Sequence, residues 1–391
     1  MLKKITSDGI AVALALALGA ALWAQEVIEK PDISTEEGKK GGEEAEDLTK
    51  TVDLFDYRNE EVKEEVKAIT VTKKAPILNV LLEINAFGDD RRNTNIAVDK
   101  AIDEARRIDG LLSTYKSDTE IAQINASAGE KAVIVSAETL KIINTGLDIS
   151  KKSYGAFDIT WAALSDIWKF ELEETPKVPT SEELAPILKL IDYKNVKVDP
   201  KRRTVFLPKK GMRIDVGGLA QGYVMERVAD TLKKNGVRDF RVRIGRSVMV
   251  NGTERGRPWM IKVPDIRERR AGEIPPVPLQ GKAMFTSWDG DKYFEVGGKI
   301  YHSIINPRTG YPARGVRSVT IVTDSPLEAD ALAIAVFVLG VKEGLRLVEQ
   351  MKGVEALITD SNEVLHKSKG WDNLYQSEEE KKAPQKKGKR K

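Results

Sequence analysis

Between about Ile69 and Tyr375 the apolar positions switch repeatedly between the two-residue period of strands and the 3.6-residue period of helices. Ile77 to Phe87 reads as a strand. Ile96, Val98, Ala101, Ile102, Ala105, Ile108 and Leu112 then recur at helical spacing, and a second helix is predicted over Ala137 to Ser150. Glu171 to Pro186 carries three prolines and many acids, so it reads as a surface excursion leading into a short helix. Val196 to Val198 and Thr204 to Leu207 form a predicted hairpin. A strand then runs into Gly217 and Gly218 and passes into a helix ending near Gly236. Further strands are predicted at Phe240 to Val250, Trp259 to Val263, Val316 to Thr323 and Val354 to Thr359. Lys292 to Ile305 reads as a hairpin turning at Gly297-Gly298, and Leu327 to Leu339 as an apolar helix. Strands and helices interleave without a steady repeat. That pattern predicts an α+β fold, one large domain (67–375) of mixed sheets and packed helices.

The flanks have another character. Lys3 and Lys4 precede an apolar run from Ile10 to Trp23, with small residues at Gly19, Ala20, Ala21 and Ala24, so residues 1–24 read as an export signal. The run is short for a membrane span, which needs about 20 apolar residues; a buried first helix is the other reading. Residues 25–66 are acid-rich and lack an apolar period, as expected of a disordered linker, and the Lys-rich tail 376–391 reads likewise. Weak contact between that tail and an anionic membrane surface is a further expectation.

The 391 residues are 41% hydrophobic and 31% charged, which suits a globular protein with charged flanks, and a net charge of +3 gives no reason to expect nucleic acid. Cysteine is absent. Disulfides, thiolate metal sites, Cys nucleophiles and a lipidated N-terminal Cys are thereby excluded. With two histidines, His302 and His366, a zinc site built on several His is excluded as well.

Four stretches can carry chemistry. Asp215-Val-Gly-Gly-Leu-Ala-Gln-Gly puts glycines between a strand and a helix; it is either a phosphate-binding turn or simply a tight connection. In Tyr301-His-Ser-Ile-Ile-Asn-Pro-Arg-Thr-Gly, the histidine serves as a base or phosphate contact, or is an ordinary turn residue. Ser325-Pro-Leu-Glu-Ala-Asp opens an apolar helix, where Asp330 either binds a cation or answers the helix dipole. Gly155-Ala-Phe-Asp holds Asp158 as a ligand contact or a structural turn acid.

Taken together and in order, these motifs resemble those of the FAD:protein FMN transferases of the ApbE family. The resemblance also includes Leu112-Ser-Thr-Tyr-Lys-Ser-Asp-Thr-Glu, Asn125, Trp168 and Ala329-Asp-Ala-Leu-Ala, and it spans about Leu78 to Leu365. By that resemblance Tyr115, Ala156, Phe157, Asp158, Asp215, Gln221 and Ile304 occupy flavin-contacting positions. Gly218 (through its carbonyl) and Asp330 occupy magnesium positions, and His302 matches the histidine implicated in catalysis. The implied reaction attacks FAD with a Thr or Ser hydroxyl of an acceptor flavoprotein of the cell envelope, leaving FMN attached and releasing AMP. The implied location is periplasmic or otherwise in the cell envelope.

Several positions depart from the family pattern. Gln221 stands where Lys is usual, Gly245-Arg-Ser where Gly-Gly-Asp is expected, Thr286-Ser-Trp in place of Thr-Ser-Gly, and Ile334 in place of a Thr that helps hold magnesium. Glu226 for Asp is milder. The departures keep two alternatives open: a catalytically impaired flavin-binding or scaffold protein, and a FAD pyrophosphatase that uses water as the acceptor.

Overall fold

The computed structural model describes residues 69–112, 118–170, 177–264 and 274–376. The expected export signal, the acidic linker, Tyr115 and the tail beyond Gln376 lie outside them.

β1 (Ile69–Ile77) and β2 (Val80–Gly88) form a hairpin in which Leu78 and Asn79 both take positive φ, 53° and 60°. Such a two-residue turn matches the twist of the strands it joins. The predicted strand over Ile77 to Phe87 is therefore the second arm of a pair. α1 (Arg91–Leu112) buries Val98, Ala101, Ile102, Ala105 and Ile108 on one stripe. Each Val or Ile side chain so buried contributes about 1.5–3 kcal/mol.

α2 (Glu120–Ala126), β3 (Val133–Ile134) and α3 (Ala137–Lys152) follow. Next come α4 (Ser181–Leu188), capped by a reciprocal Thr180–Glu183 pair, and the β4 (Lys197–Asp199) and β5 (Thr204–Phe206) hairpin. α5 (Gly217–Lys234) leads to β6 (Asp239–Ile244) and β7 (Ser247–Asn251), which fold about Gly245-Arg246 where one continuous strand is predicted. β8 (Trp259–Ile261) and β9 (Val277–Leu279) make a ribbon before β10 (Ala283–Trp288). β11 (Tyr293–Val296) and β12 (Lys299–His302) form the hairpin expected at Gly297-Gly298. β13 (Val316–Thr323), α6 (Pro326–Glu349), β14 (Glu355–Asp360) and β15 (Leu365–Lys367) complete the order.

Eight strands form one sheet in the order β1-β2-β6-β7-β10-β13-β14-β15. The α+β class is as the sequence predicts, although every pairing among the described strands is antiparallel rather than mixed. Each helical excursion returns the chain beside a strand that runs the opposite way.

α1, α5 and α6 cover one face of the sheet, and α3 packs on α5 and α6. Alternation sorts the sheet residues between two cores: Phe285, Val319 and Ile321 face the helices, while Met284, Val322 and Leu357 face the β8–β9 ribbon and Trp371. A third cluster of Leu164, Trp168, Leu184, Phe294 and Ile305 joins α4 to the β11–β12 ribbon.

Candidate functional site

The site forms where α5 and α6 begin side by side. α5 follows an extended segment in which Met212, Ile214 and Val216 are buried. Asn125 fixes that segment as a neighbouring strand would: its Oδ1 accepts from the Ile214 N–H at 2.7 Å and its Nδ2 donates to the Ile214 carbonyl at 2.9 Å. Asp215 accepts the Gly217 N–H at 2.7 Å, while its own N–H donates to the Ile159 carbonyl at 2.8 Å.

Two glycines permit the helices to meet. A Cβ on Gly222 would lie 2.2 Å from the Pro326 carbonyl oxygen at the start of α6. One on Gly218 would lie 2.7 Å from Ile334 Cδ1 and 3.0 Å from Phe157 Cε2. At Gly222 the obstacle is backbone, so no side chain fits there; at Gly218 a side chain would require Ile334 and Phe157 to shift.

Asp330 stands half-buried in the second turn of α6, which opens with Ser325 as its cap and Pro326. The N–H of Gly222 donates to Asp330 Oδ2 at 3.1 Å. Burial pushes the Asp330 carboxyl up to about 7, against the pull of the Gly222 and Gln221 N–H groups. Asp215 is raised by burial too, with the Gly217 N–H and the Arg213 charge opposing. Burial likewise raises the fully enclosed Asp158, while bonds from Thr160 and Tyr193 pull it down. Asp158 spends both oxygens on structure: Oδ1 accepts from the Thr160 N–H (2.8 Å) and hydroxyl (2.6 Å), and Oδ2 from the Tyr193 N–H (2.9 Å). The turn-acid reading of Asp158 describes these contacts.

His302 is buried at the end of β12, edge-on to Phe337 of α6 with ring centroids 5.5 Å apart. Its Nδ1 accepts from the Ile304 N–H at 3.3 Å, and its Nε2 lies 3.0 Å from the Ala313 carbonyl. These partners assign the neutral tautomer with the proton on Nε2. Burial lowers its pKa, so the ring is uncharged at neutral pH. The same segment grips the turn before Asp158, because Arg308 donates to the Tyr154 carbonyl at 2.8 Å.

Ala156 and Phe157 are buried in that turn, Phe157 against Gly218, and Gln221 and Ile304 are half-buried. The structure thus joins the motifs at 125, 155–158, 215–222, 302–308 and 330 through named contacts. Gly218 and Asp330 could offer a carbonyl and a carboxylate to a hard cation, the donor types magnesium takes. A half-buried carboxylate whose hydrogen-bond donors are neutral N–H groups fits that assignment. Ile334, one turn beyond Asp330, supplies carbon against Gly218 where an oxygen would extend the set.

Two departures turn out to be one structure. The Arg246 guanidinium stacks 4.4 Å from the Trp288 ring centroid, and both side chains bond Asp291, the indole at 2.6 Å. Glu226 lies on the outer side of α5, paired with Lys141. Sequence reasoning missed a small cleft of about 130 Å³ that His302 shares with Asp289, Ile300, Ala313, Arg314 and Arg317. Its signal was a charged residue, Arg317, inside the otherwise uncharged strand Val316–Thr323.

Comparison with known proteins agrees with this geometry. The ApbE family model matches residues 61–358. The FAD:protein FMN transferase of Vibrio cholerae is 29% identical over 265 residues, 66% of this chain and 77% of the relative. That of Haemophilus influenzae is 29% identical over 282 residues, 70% and 81% of the two chains. Among solved structures, the ApbE protein of Thermotoga maritima superposes with a TM-score of 0.72 at 30% identity, covering 79% of this chain and all (100%) of that one. The apo flavinyl transferase ApbE of Pseudomonas stutzeri gives 0.70 at 25% identity, covering 79% and 98%. The chain belongs to the ApbE family.

Proposed function

We propose that the chain transfers FMN from FAD to a Thr or Ser hydroxyl of an acceptor flavoprotein, in the cell envelope to which its N-terminus directs it. One observation carries the reading. Asp330, pushed up to about 7 by burial and without a cationic partner among the described residues, accepts the Gly222 N–H at a helix start opened by glycines, on the same helix whose Phe337 packs against the neutral His302.

In the proposed reaction the hydroxyl oxygen bonds to the flavin-side phosphorus, and the bond from that phosphorus to the bridging oxygen breaks. AMP departs with the bridging oxygen, and the hydroxyl proton passes to a base. His302 suits that role, because Nδ1 holds its lone pair behind one long hydrogen bond while Nε2–H stays anchored on Ala313. Asp215, Phe157 and the α5 N-terminus orient the nucleotide, and backbone N–H groups at the helix start favour its phosphates. Gly218 and Asp330 would hold magnesium, which supplies charge neutralisation to the pyrophosphate when bound.

The test incubates the full chain with FAD, Mg²⁺ and a flavin-acceptor domain, reading acceptor fluorescence on a denaturing gel and AMP by chromatography. Labelled acceptor with AMP is expected; absence of both overturns the proposal. The rate should fall as pH drops below about 7, because Asp330 must lose its proton to bind a cation. The apparent Mg²⁺ affinity is then expected to weaken by about tenfold per pH unit. A second reading, flavin binding without turnover, is favoured by Ile334, which puts carbon where the cation would need oxygen. Tight FAD binding with neither product would select it.

A further inference from the structure

A second cleft, of about 310 Å³, opens on the face of the sheet turned away from α1, α5 and α6. Asn85 and Phe87 of β2 and Arg241 of β6 line it together with Glu254, Arg255 and Trp259. Its volume is that of roughly ten waters, at the low end of the about 300–1,000 Å³ of small-molecule sites. Such a space suits one ring bearing a polar group.

Phe87 and Trp259 pack with ring centroids 5.5 Å apart, and each lies under a guanidinium: Arg241 is 5.9 Å from the Trp259 ring and Arg255 6.0 Å from that of Phe87. Both distances stand at the outer reach of cation–π attraction, about 6 Å, so neither cation is held firmly by its ring. Arg241 donates one hydrogen bond, from Nη2 to Asn85 Oδ1 at 3.0 Å, and its Nε is buried without one. Its ion-pair partner Glu83, 3.6 Å away, is already met by Lys74 at 3.2 Å and Arg243 at 3.1 Å. The exposed Arg255 guanidinium has no hydrogen bond or ion pair among the described residues.

The turn that carries Arg255 holds it in place. Glu254 and Arg257 exchange backbone hydrogen bonds of 2.7 and 3.2 Å, with Arg255 and Gly256 between them at φ 52° and 81°. Glycine and asparagine are the usual residues for that left-handed position, so an arginine kept there is a backbone outlier of the kind found at ligand sites. Asp239 Oδ1 fixes the loop by accepting the Thr253 N–H at 2.6 Å. Charge then selects the ligand. Two guanidiniums against Glu254 leave the cleft one positive charge, which a monoanion neutralises and a phosphate dianion overshoots.

We propose that this cleft is a second ligand site, for a small aromatic carboxylate whose charged group lies between Arg241 and Arg255 and whose ring rests against Phe87. Guanidiniums pair with carboxylates through parallel N–H donors, and a flat body gains from contact with an aromatic ring. The sheet separates this site from the α5–α6 seam, and its ligand does not depend on flavin transfer.

The experiment titrates the full chain with para-fluorobenzoate, following the fluorine NMR signal, with and without saturating FAD and Mg²⁺. A Kd of about 1 mM or tighter is expected, unchanged by FAD. Para-fluorobenzamide, which lacks the charge, and inorganic phosphate, which lacks the ring, should each bind at least about tenfold more weakly. Arg255→Gln, on an exposed side chain, should weaken para-fluorobenzoate about tenfold, with partial recovery in Arg255→Lys, and Arg241→Gln should weaken it to a similar degree. Competition by FAD, equal affinity for the amide or for phosphate, or wild-type binding by both glutamine variants overturns the proposal. A Kd weaker than the expected value does so as well.

Discussion

Two groups of acidic side chains sit a short way apart and are treated in opposite ways. On the outer side of the helices, Glu104 and Glu138 meet Arg107 and Arg227. Arg107 Nε lies 2.8 Å from Glu104 and its Nη1 2.7 Å from Glu138, and Arg227 reaches Glu104 at 3.0 Å. Hydrogen bonds from Arg107 lead in holding Glu104 down to about 2, and they lower Glu138 as well. In the α5–α6 seam, Asp215 and Asp330 are raised by burial and accept N–H groups; the Arg213 charge acts on Asp215, and no charged side chain offsets the burial of Asp330 among the described residues. The first group is electrostatically finished and contributes to stability. The second is left short of positive charge, the shortage that the proposed cation would make good.

The largest break in this contrast comes from Asp330. Asp330→Asn is expected to cut FMN transfer at least about 100-fold, yet to stabilise the cation-free protein at pH 8 by about 1–3 kcal/mol. The sign follows from the raised pKa. Between about 4 and 7 the folded state binds the proton more tightly than the unfolded state, so ionisation above that window weakens the wild type, and the amide escapes the penalty. Urea unfolding at pH 8 checks it, and a destabilised Asn variant refutes it.

Next in size is Gly222→Ala, which sets a methyl against the Pro326 carbonyl. A loss of about 2–3 kcal/mol is expected from overpacking, seen in thermal unfolding together with weaker FAD binding; an unchanged melting temperature would show that the seam can open. Ile334→Thr should sharpen the contrast by adding an oxygen beside Gly218. Mg²⁺ affinity should rise by up to about tenfold at a small cost in packing, and titration calorimetry with no gain would count against this position as a ligand. The smallest effect belongs to the finished group. Glu104→Gln should cost about 1 kcal/mol at pH 7 and leave transfer unaltered. Because the Glu104 pKa is depressed, its contribution is whole above about 4.5 and disappears as pH falls towards about 2. Acid titrations of the two proteins should converge there.

Much of this was legible beforehand. Helical spacing located α1 and α3, the glycine pair placed the β11–β12 turn, and Asp330 was marked by its acid group inside an apolar helix. Leu78 concealed the first hairpin: of its two turn residues only Asn79 favours the left-handed region, and Leu78 continues the apolar run on either side. Gly245-Arg246 was read through as strand for lack of a polar break around it. The Arg107 network, the Arg246–Trp288 stack and the cleft could not be read, because their members lie tens of residues apart in the chain and only the fold brings them together. Asp158 was read both as a ligand and as a turn acid, and its three structural hydrogen bonds describe the second role.

Gly340 lies within α6 at φ 77° and ψ −179°, outside helical geometry. The apolar half that carries Asp330, Ile334 and Phe337 thus ends mechanically where the sequence pattern stopped, at Leu339. The amphipathic half beyond it behaves as a separate rod, with Leu347 and Val348 docked and Lys342, Glu343 and Arg346 in solvent. An engineer could therefore retune solubility or attach a tag in that half, beyond the break that separates it from the half carrying Asp330.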